Sequence, residues 1–235
     1  MADRVKSWLF DLRPDEDRLG EYMLLLSLDE RLRAEQIRYR GDRVAFVARR
    51  GQLRQMLAAY LGLAPELLLF DQNEFGKPAL RDGDDLRFNT SSSGDIGLGV
   101  IARGIEVGCD IERRDPAKAS IGIAERFFAP DERSALAGLP ANQWLEGFFN
   151  CWTRKEALLK CLGCGLSGEL SAFTVSLAPG APAAIFSHTE FVVASFCSIP
   201  DYQMAIVANS TDPLTIDPPL WWGGELIAHR ALANG

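Results

Sequence analysis

Two acidic side chains, Asp110 and Glu112, lie two residues apart in the alternating segment GCDIE. Because successive side chains of a β-strand point to opposite faces, both carboxylates project from the same face. Neighbouring acids repel each other unless a cation joins them, and carboxylate oxygens are ligands that suit Mg²⁺ or Mn²⁺. The spacing therefore indicates a metal site. The alternative is a solvent-facing strand end that pairs with Arg113 and Arg114.

A second acidic group lies in the segment WTRKEALLK, which has the pattern of an amphipathic helix. Glu156 and Lys160 are four residues apart and share one face of that helix. If the helix packs beside the acidic strand, Glu156 becomes a third metal ligand with Lys160 next to it. The alternative is an ordinary surface ion pair, which contributes little to stability.

Groups that suit a phosphate occur earlier in the chain. Lys77 lies in FGKP, and Ser91, Ser92 and Ser93 precede Gly94 in a segment that we expect to form strand, loop and strand. Hydroxyls and backbone N–H groups donate to phosphate oxygens, and a lysine adds a point charge. A serine-rich turn without a ligand would have the same composition.

An arginine-rich segment covers residues 31–54, where Glu35 and Asp42 are the acidic residues. A solvated helix face would explain it, and so would a surface that binds a multiply phosphorylated ligand. The arginines are Arg31, Arg33, Arg38, Arg40, Arg43, Arg49, Arg50 and Arg54.

Composition narrows the class of protein. The 235 residues carry a formal net charge of −7, which argues against a general nucleic-acid coat protein. The two histidines, His188 and His229, are too few for a multi-histidine zinc centre. The start of the chain resembles no signal peptide, no apolar run is long enough to cross a membrane, and the five cysteines fit a reducing compartment. We therefore expect a cytoplasmic protein that binds neither nucleic acid nor membrane.

The elements that must position these residues follow from periodicity. We expect helices over residues 15–62, with a break near Gly41, and again over 119–137 and 142–162. Strands are expected at 67–70 and 105–112, and four more from residue 172 onwards. Helices followed by strands, twice over, predict α+β halves. A faint repeat supports the doubling, since RQMLAAYLG at Arg54 and KEALLKCLG at Lys155 are offset by 101 residues.

The motifs GKP, FN-x-S-x-SG, G-x-DIE and W-x-x-KEA-x-x-K occur here in that order. Together they resemble the 4′-phosphopantetheinyl transferases, and most closely the monomeric, double-length type that activates peptide and polyketide synthetases. The likeness runs from about Ser27 to at least Ser171. It implies an enzyme that transfers the phosphopantetheine arm of coenzyme A (CoA) to a serine of an apo acyl or peptidyl carrier protein. It also implies two similar halves, here 1–104 and 105–235, related by a pseudo-twofold axis with CoA in the cleft between them.

The same resemblance implies roles for individual residues. It assigns Mg²⁺, with Mn²⁺ as an alternative, to Asp110, Glu112 and Glu156, and catalysis to Glu156 and Lys160. Glu132 matches a further acidic position near the metal. The CoA-binding positions that it implies are Arg43, Arg50, Lys77, Ser91, Ser92, Asp110, Lys155 and Lys160.

One position departs from the family pattern, because Ser92 stands where a histidine is usual. A serine can donate a hydrogen bond but carries no charge, so we expect altered recognition of the 3′-phosphate of CoA. Two other functions remain open on the sequence, namely a different Mg²⁺-dependent phosphotransferase or phosphodiesterase, and a non-catalytic CoA- or carrier-binding protein. For the carrier, we expect a small apolar patch at Ile121 and Ile123, after the acidic strand.

Overall fold

The computed structural model describes residues 5–83, 85–164, 169–212 and 214–223. His229, the first residues of the expected N-terminal half and the last residues of the expected C-terminal half lie outside these ranges. Within these ranges the chain forms an α+β fold, as the sequence predicts. The helices are α1 (Glu16–Leu25), α2 (Leu28–Gln36), α3 (Arg40–Leu61), α4 (Ile121–Phe127), α5 (Pro130–Ala137) and α6 (Ala141–Leu162). The strands are β1 (Lys6–Asp11), β2 (Phe70–Gln72), β3 (Pro78–Leu80), β4 (Leu86–Ser93), β5 (Ile96–Arg103), β6 (Val107–Arg113), β7 (Phe191–Phe196), β8 (Tyr202–Asn209) and β9 (Leu220–Trp221).

The N-terminal helical region breaks at two places that differ from the expected one. Ser27 begins α2 with a capping box, in which its hydroxyl accepts from the amide of Glu30 while the Glu30 carboxylate accepts from the amide of Ser27. Tyr39, in an extended conformation, precedes α3. The expected break near Gly41 is therefore wrong, because that residue lies inside the first turn of α3.

Helices α3 and α6 have the same length and the same ending. Each has 22 residues, and α6 begins and ends 101 residues after α3. Gly62 and Gly163 follow them with φ of 65° and 71°, a left-handed conformation that favours glycine. The faint sequence repeat thus extends to two whole helices. A twofold relation between complete halves stays a prediction.

Two sheets provide the frame for the site. The first has the strand order β4-β5-β1-β9, and the second is the antiparallel sheet β6-β8-β7. Two of the four strands expected after residue 172 become β7 and β8. The other two form a single isolated bridge between Val175 and Ile185, and side chains of α6 donate to the neighbouring carbonyls of Ser176 and Leu177.

The two sheets meet along β4 and β6, which lie side by side. Side chains rather than a backbone ladder join them there, and the amide of Cys109 donates to Asn89 Oδ1 at 3.1 Å. Buried apolar residues from both sheets, such as Leu98 and Ile206, form a core between them. Among the described helices none has the length and hydropathy needed to cross a bilayer.

Candidate functional site

The serine run forms the last part of strand β4 rather than a loop, which corrects the sequence-based expectation. Because side chains alternate along a strand, Ser91 and Ser93 face β6 while Ser92 faces helix α3. Ser91 Oγ donates to Asp110 Oδ1 at 2.8 Å, and Ser93 Oγ donates to Glu112 Oε2 at 2.7 Å. Two of the three serines therefore donate to the acidic pair, and the CoA-binding role implied for Ser91 stays a prediction.

Helix α6 brings Lys160 to the same place. Its ammonium lies 2.6 Å from Asp110 Oδ1 and donates to Ser91 Oγ at 2.9 Å. The close approach of α6 to β6 depends on Gly108, because a Cβ on that residue would overlap the backbone of Ala157 and Cys161. Lys160 and Asp110 are thus held together by a helix and a strand that almost touch.

The carboxylates of this site carry more negative charge than their partners offset. Burial raises the pKa of Asp110, and Lys160 counteracts part of that rise. Burial also raises the pKa of Glu112 and of Glu156, and the charge of Asp110 adds to both shifts. Asp110 Oδ2 and Glu156 Oε1 are buried and have no hydrogen-bond partner among the described residues. These groups need a proton or a cation.

The neighbouring carboxylates also shift the pKa of Lys160. Burial, the largest influence, would lower it, but the charges of Asp110 and Glu156 and the hydrogen bond to Asp110 together raise it. Lys160 therefore stays positively charged across the neutral range.

The donor set suits a hard cation, although its side chains are not closed around one. No three His, Cys, Asp or Glu side chains in the described ranges lie together in a geometry that could hold a metal ion. The two buried oxygens without partners, on Asp110 and Glu156, are of the type that Mg²⁺ prefers. Ion binding would therefore require these side chains to turn toward one another.

Lys155 and Glu132, which the resemblance places at CoA and near the metal, have other partners in this structure. Lys155 is fully buried, and its Nζ lies 2.8 Å from Glu132 Oε2. It also donates to the carbonyls of Leu170 and Phe173. The Glu132 carboxylate accepts from the amides of Ala129 and Val175, both at 2.7 Å. This buried ion pair joins α5, α6 and the segment around residues 169–175, and a CoA-binding role for Lys155 stays a prediction.

The ammonium of Lys77 is likewise bonded to other protein groups. Its ammonium lies 2.7 Å from Glu106 Oε2 and donates to the carbonyl of Cys161 at 3.0 Å. The side chain is 16% exposed. The predicted contact of Lys77 with CoA therefore has no support in this geometry.

The arginines of the arginine-rich segment differ in how fully they are paired with other parts of the protein. Arg54 is buried, pairs with Glu30 at 2.7 Å and donates to two carbonyls that follow α3. Arg50 lies 3.7 Å from the same carboxylate, and its Nε has no hydrogen-bond partner among the described residues. Arg43 is half-buried, two helical turns before Arg50.

Arg49 belongs to the arginine-rich segment but not to the CoA-binding positions that the resemblance implies. It donates to Ser92 Oγ at 3.0 Å, and its pKa is lowered by burial and by the charges of Arg50 and Arg33. A partly buried guanidinium that feels the positive charges of two other arginines is suited to bind an anion. Spacing along the helix could not single out Arg49, because adjacent helix residues such as Arg49 and Arg50 point about 100° apart.

The apolar residues expected to meet a carrier protein divide in the same way. Ile121 is 68% exposed, whereas Ile123 is half-buried and packs against the C-terminal core. Ile123 lines a cavity of about 210 Å³ together with Glu112, Lys118 and Trp152. The cavity gives the acidic site an apolar wall that the sequence analysis did not predict.

Comparison with known proteins gives a consistent result. Residues 106–207 match the family described as the 4′-phosphopantetheinyl transferase superfamily. The chain is 36% identical to the 4′-phosphopantetheinyl transferase HetI of Nostoc sp. strain PCC 7120, over 78% of each chain. It is 31% identical to the 4′-phosphopantetheinyl transferase psf-1 of Bacillus pumilus, over 86% of this chain and 89% of that one.

One solved structure that resembles part of the chain is a holo-(acyl-carrier-protein) synthase from Bacillus anthracis strain Ames, in complex with CoA (3′,5′-ADP). Its sequence is 22% identical, and the TM-score is 0.37 over 46% of this chain and 98% of that one.

Proposed function

Because this chain belongs to the 4′-phosphopantetheinyl transferase family, we propose that it uses CoA and Mg²⁺ to modify a serine of an apo acyl or peptidyl carrier protein. Family membership makes the chain a phosphopantetheinyl transferase. The metal, the carrier class and the release of 3′,5′-ADP are the proposed details. The observation that carries them is the pair of buried oxygens without partners, on Asp110 and Glu156, beside the ammonium of Lys160.

In the proposed reaction the carrier serine hydroxyl attacks the β-phosphate of CoA. A phosphodiester bond forms to the serine oxygen, and the bond between the two phosphates of CoA breaks to release 3′,5′-ADP. Glu156 accepts the serine proton, directly or through a bound water. Lys160, already held at Asp110, stabilises negative charge on the departing phosphate.

The fit to Mg²⁺ rests on the chemistry of the donors. Asp110, Glu112 and Glu156 would hold the ion, because burial raises the pKa of each carboxyl and so disfavours its charged form unless a cation is near. When bound, Mg²⁺ neutralises charge on diphosphate oxygens.

Intact-mass measurement tests the proposal directly. The protein is incubated with CoA, Mg²⁺ and a panel of apo carrier proteins, and we expect one carrier to gain the mass of a single phosphopantetheine arm. A phosphodiesterase would consume CoA without adding mass to any carrier, and a non-catalytic binding protein would do neither. Either result would contradict the proposed reaction.

We also predict that Mg²⁺ stabilises the fold at pH 8. Carboxylates with raised pKa values bind more protons in the folded than in the unfolded chain, so stability falls as pH rises through those values. A bound cation removes this loss. At one hundred times its Kd, Mg²⁺ should add about 2.7 kcal/mol, which raises the Tm by roughly 5–10 °C in a chain of this length.

A matched pair of variants on α6 makes the Mg²⁺ test specific. Glu156→Gln should remove most of the Tm rise. Glu146→Gln should keep it, because Glu146 lies on the same helix but forms a partly exposed ion pair with Arg114. An equal response of the two variants would place the ion elsewhere.

The arginine site gives a second prediction, on the nucleotide. We propose that Arg49 and Ser92 contact the 3′-phosphate of CoA, because Arg49 is held at Ser92 by a hydrogen bond and is surrounded by like charges. Arg49→Met should raise the KM for CoA about tenfold, the effect of one charge-assisted hydrogen bond, and leave the KM for 3′-dephospho-CoA unchanged. Arg40→Met, at an exposed ion pair on the same helix, is the control. Equal losses with both nucleotides would contradict the assignment.

The carrier surface gives a third prediction. Ile121 is the exposed member of the proposed patch, so it replaces Ile123 as the residue to test. Ile121→Asp should raise the KM for the carrier about fivefold, the effect of 1 kcal/mol at an interface, with the KM for CoA and the Tm unchanged. Leu24 on α1 is equally exposed, at 68%, and Leu24→Asp is the control. A similar rise in both variants would show that added negative charge, rather than the patch, weakens binding.

A further inference from the structure

The loop between β2 and β3 is a preorganised turn built around Asn73. The amide of Asn73 donates to the carbonyl of Lys77 at 3.0 Å, which closes the turn. In the other direction, Asn73 Oδ1 accepts from the amides of Phe75 and Lys77 at 3.0 and 2.8 Å. The backbone at Lys77 is therefore fixed on both sides, so its side chain leaves the turn from a defined position.

This turn contacts the C-terminal end of helix α6. Lys77 Nζ donates to the carbonyl of Cys161, and Asn73 Nδ2 donates to the carbonyl of Gly163 at 2.8 Å. The last carbonyls of a helix have no partner within the helix and carry partial negative charge, so a cation and an amide donor stabilise that end. Lys77 Nζ also lies 3.4 Å from the carbonyl of Val107, at the start of β6.

One ammonium thus joins three parts of the chain, namely the β2–β3 turn, the start of β6 and the last turn of α6. Glu106 supplies its counter-charge at 2.7 Å. Cys161 directly follows Lys160, and Val107 lies three residues before Asp110. Lys77 therefore touches both elements that hold the Lys160–Asp110 pair together.

We propose that Lys77 is a positioning residue, which anchors the C-terminal turn of α6 to β6 and so keeps Lys160 at Asp110. In this role Lys77 does not bind a phosphate of CoA. The kinetic part of the test rests on the proposed transfer reaction. The structural part, which follows the exchange of backbone amides in α6, is independent of it.

The test compares Lys77→Met with Arg87→Met. Arg87 pairs with the other oxygen of Glu106, so its replacement removes a cation from the same carboxylate. Steady-state kinetics are measured with CoA and with 3′-dephospho-CoA, and amide hydrogen exchange is followed at residues 160–163. Circular dichroism and the Tm verify that both variants are folded.

We expect Lys77→Met to lower kcat up to about a hundredfold with both nucleotides, as a small displacement of a reacting group can do, while KM changes less than about twofold. Amides at 160–163 should exchange faster, because the helix end opens locally more often. Lys77→Arg, which keeps a cation at the helix end, should restore much of the protection. Arg87→Met should resemble the unchanged protein in both measurements.

A rise in KM for either nucleotide with unchanged exchange would overturn the proposal and make Lys77 a CoA ligand. Unchanged kcat together with unchanged exchange would overturn it as well. If the unsubstituted protein modifies no carrier, the proposed function fails, and exchange at 160–163 still decides whether Lys77 anchors the helix.

Discussion

Replacing Lys155 with methionine is expected to lower the free energy of unfolding by about 3–5 kcal/mol, the usual cost of leaving one buried charge without its partner. Lys155 and Glu132 are both almost completely buried and lie 2.8 Å apart. The substitution leaves the Glu132 carboxylate inside the C-terminal core without its counter-charge. It also removes the donor that the carbonyls of Leu170 and Phe173 share. Urea denaturation measures the loss.

The double variant Lys155→Met, Glu132→Gln separates the cost of unpaired charge from the cost of lost packing. With neither charge of the pair left, part of the lost stability should return, because the glutamine oxygen can still accept from one of the two backbone amides that the carboxylate binds. The KM for CoA, measured on the folded protein, should be unchanged in both variants. A large rise in KM with little loss of stability would instead restore Lys155 to the CoA site.

The helices that carry the site could be predicted from the sequence because their signals are local. Periodic apolar residues and a following glycine define the ends of α3 and α6, at Gly62 and Gly163. The same periodicity also indicates that the two lysines of the KEA motif cannot both face the acidic strand. Lys155 and Lys160 are five residues apart, which places them on different faces of α6. Only one of them could face Glu156 and β6, and the resemblance alone assigned both to CoA.

Strand β4 could not be predicted in the same way, because its stability comes from another part of the chain. A run of serines has low strand propensity, and with glycine after it the pattern is typical of a loop. In the structure Ser91 and Ser93 find partners on β6, and Ser92 finds one on α3. Hydrogen bonds between distant segments override the local preference. The roles of Arg49 and Lys77 depend on contacts of the same kind, so spacing could not reveal them.

The final prediction concerns Asp110, where we expect a large loss of activity and only a small change in stability. Asp110→Asn should lower the rate of transfer at least a hundredfold, roughly the effect of losing one group that stabilises the reacting charges. The free energy of unfolding at pH 8 should change by much less than the about 3–5 kcal/mol expected for Lys155→Met, because Lys160 is 29% exposed and keeps Glu156 as a counter-charge. The fold disfavours the ionised carboxylate, as its raised pKa shows, and the amide oxygen can still accept from Ser91 and Lys160. Removing one carboxylate also lowers the repulsion felt by Glu156.

Transfer is measured by intact mass and stability by urea denaturation at pH 8. Asp95→Asn is the control, because Asp95 is exposed at the turn between β4 and β5 and pairs with Arg13. It should change neither quantity. Full activity of Asp110→Asn would remove Asp110 from the reaction site, and a fall in stability that matches the fall in rate would make it a structural residue. Loss of transfer in a protein of nearly unchanged stability is the result that a cluster of carboxylates, kept for a cation and a phosphate, should give.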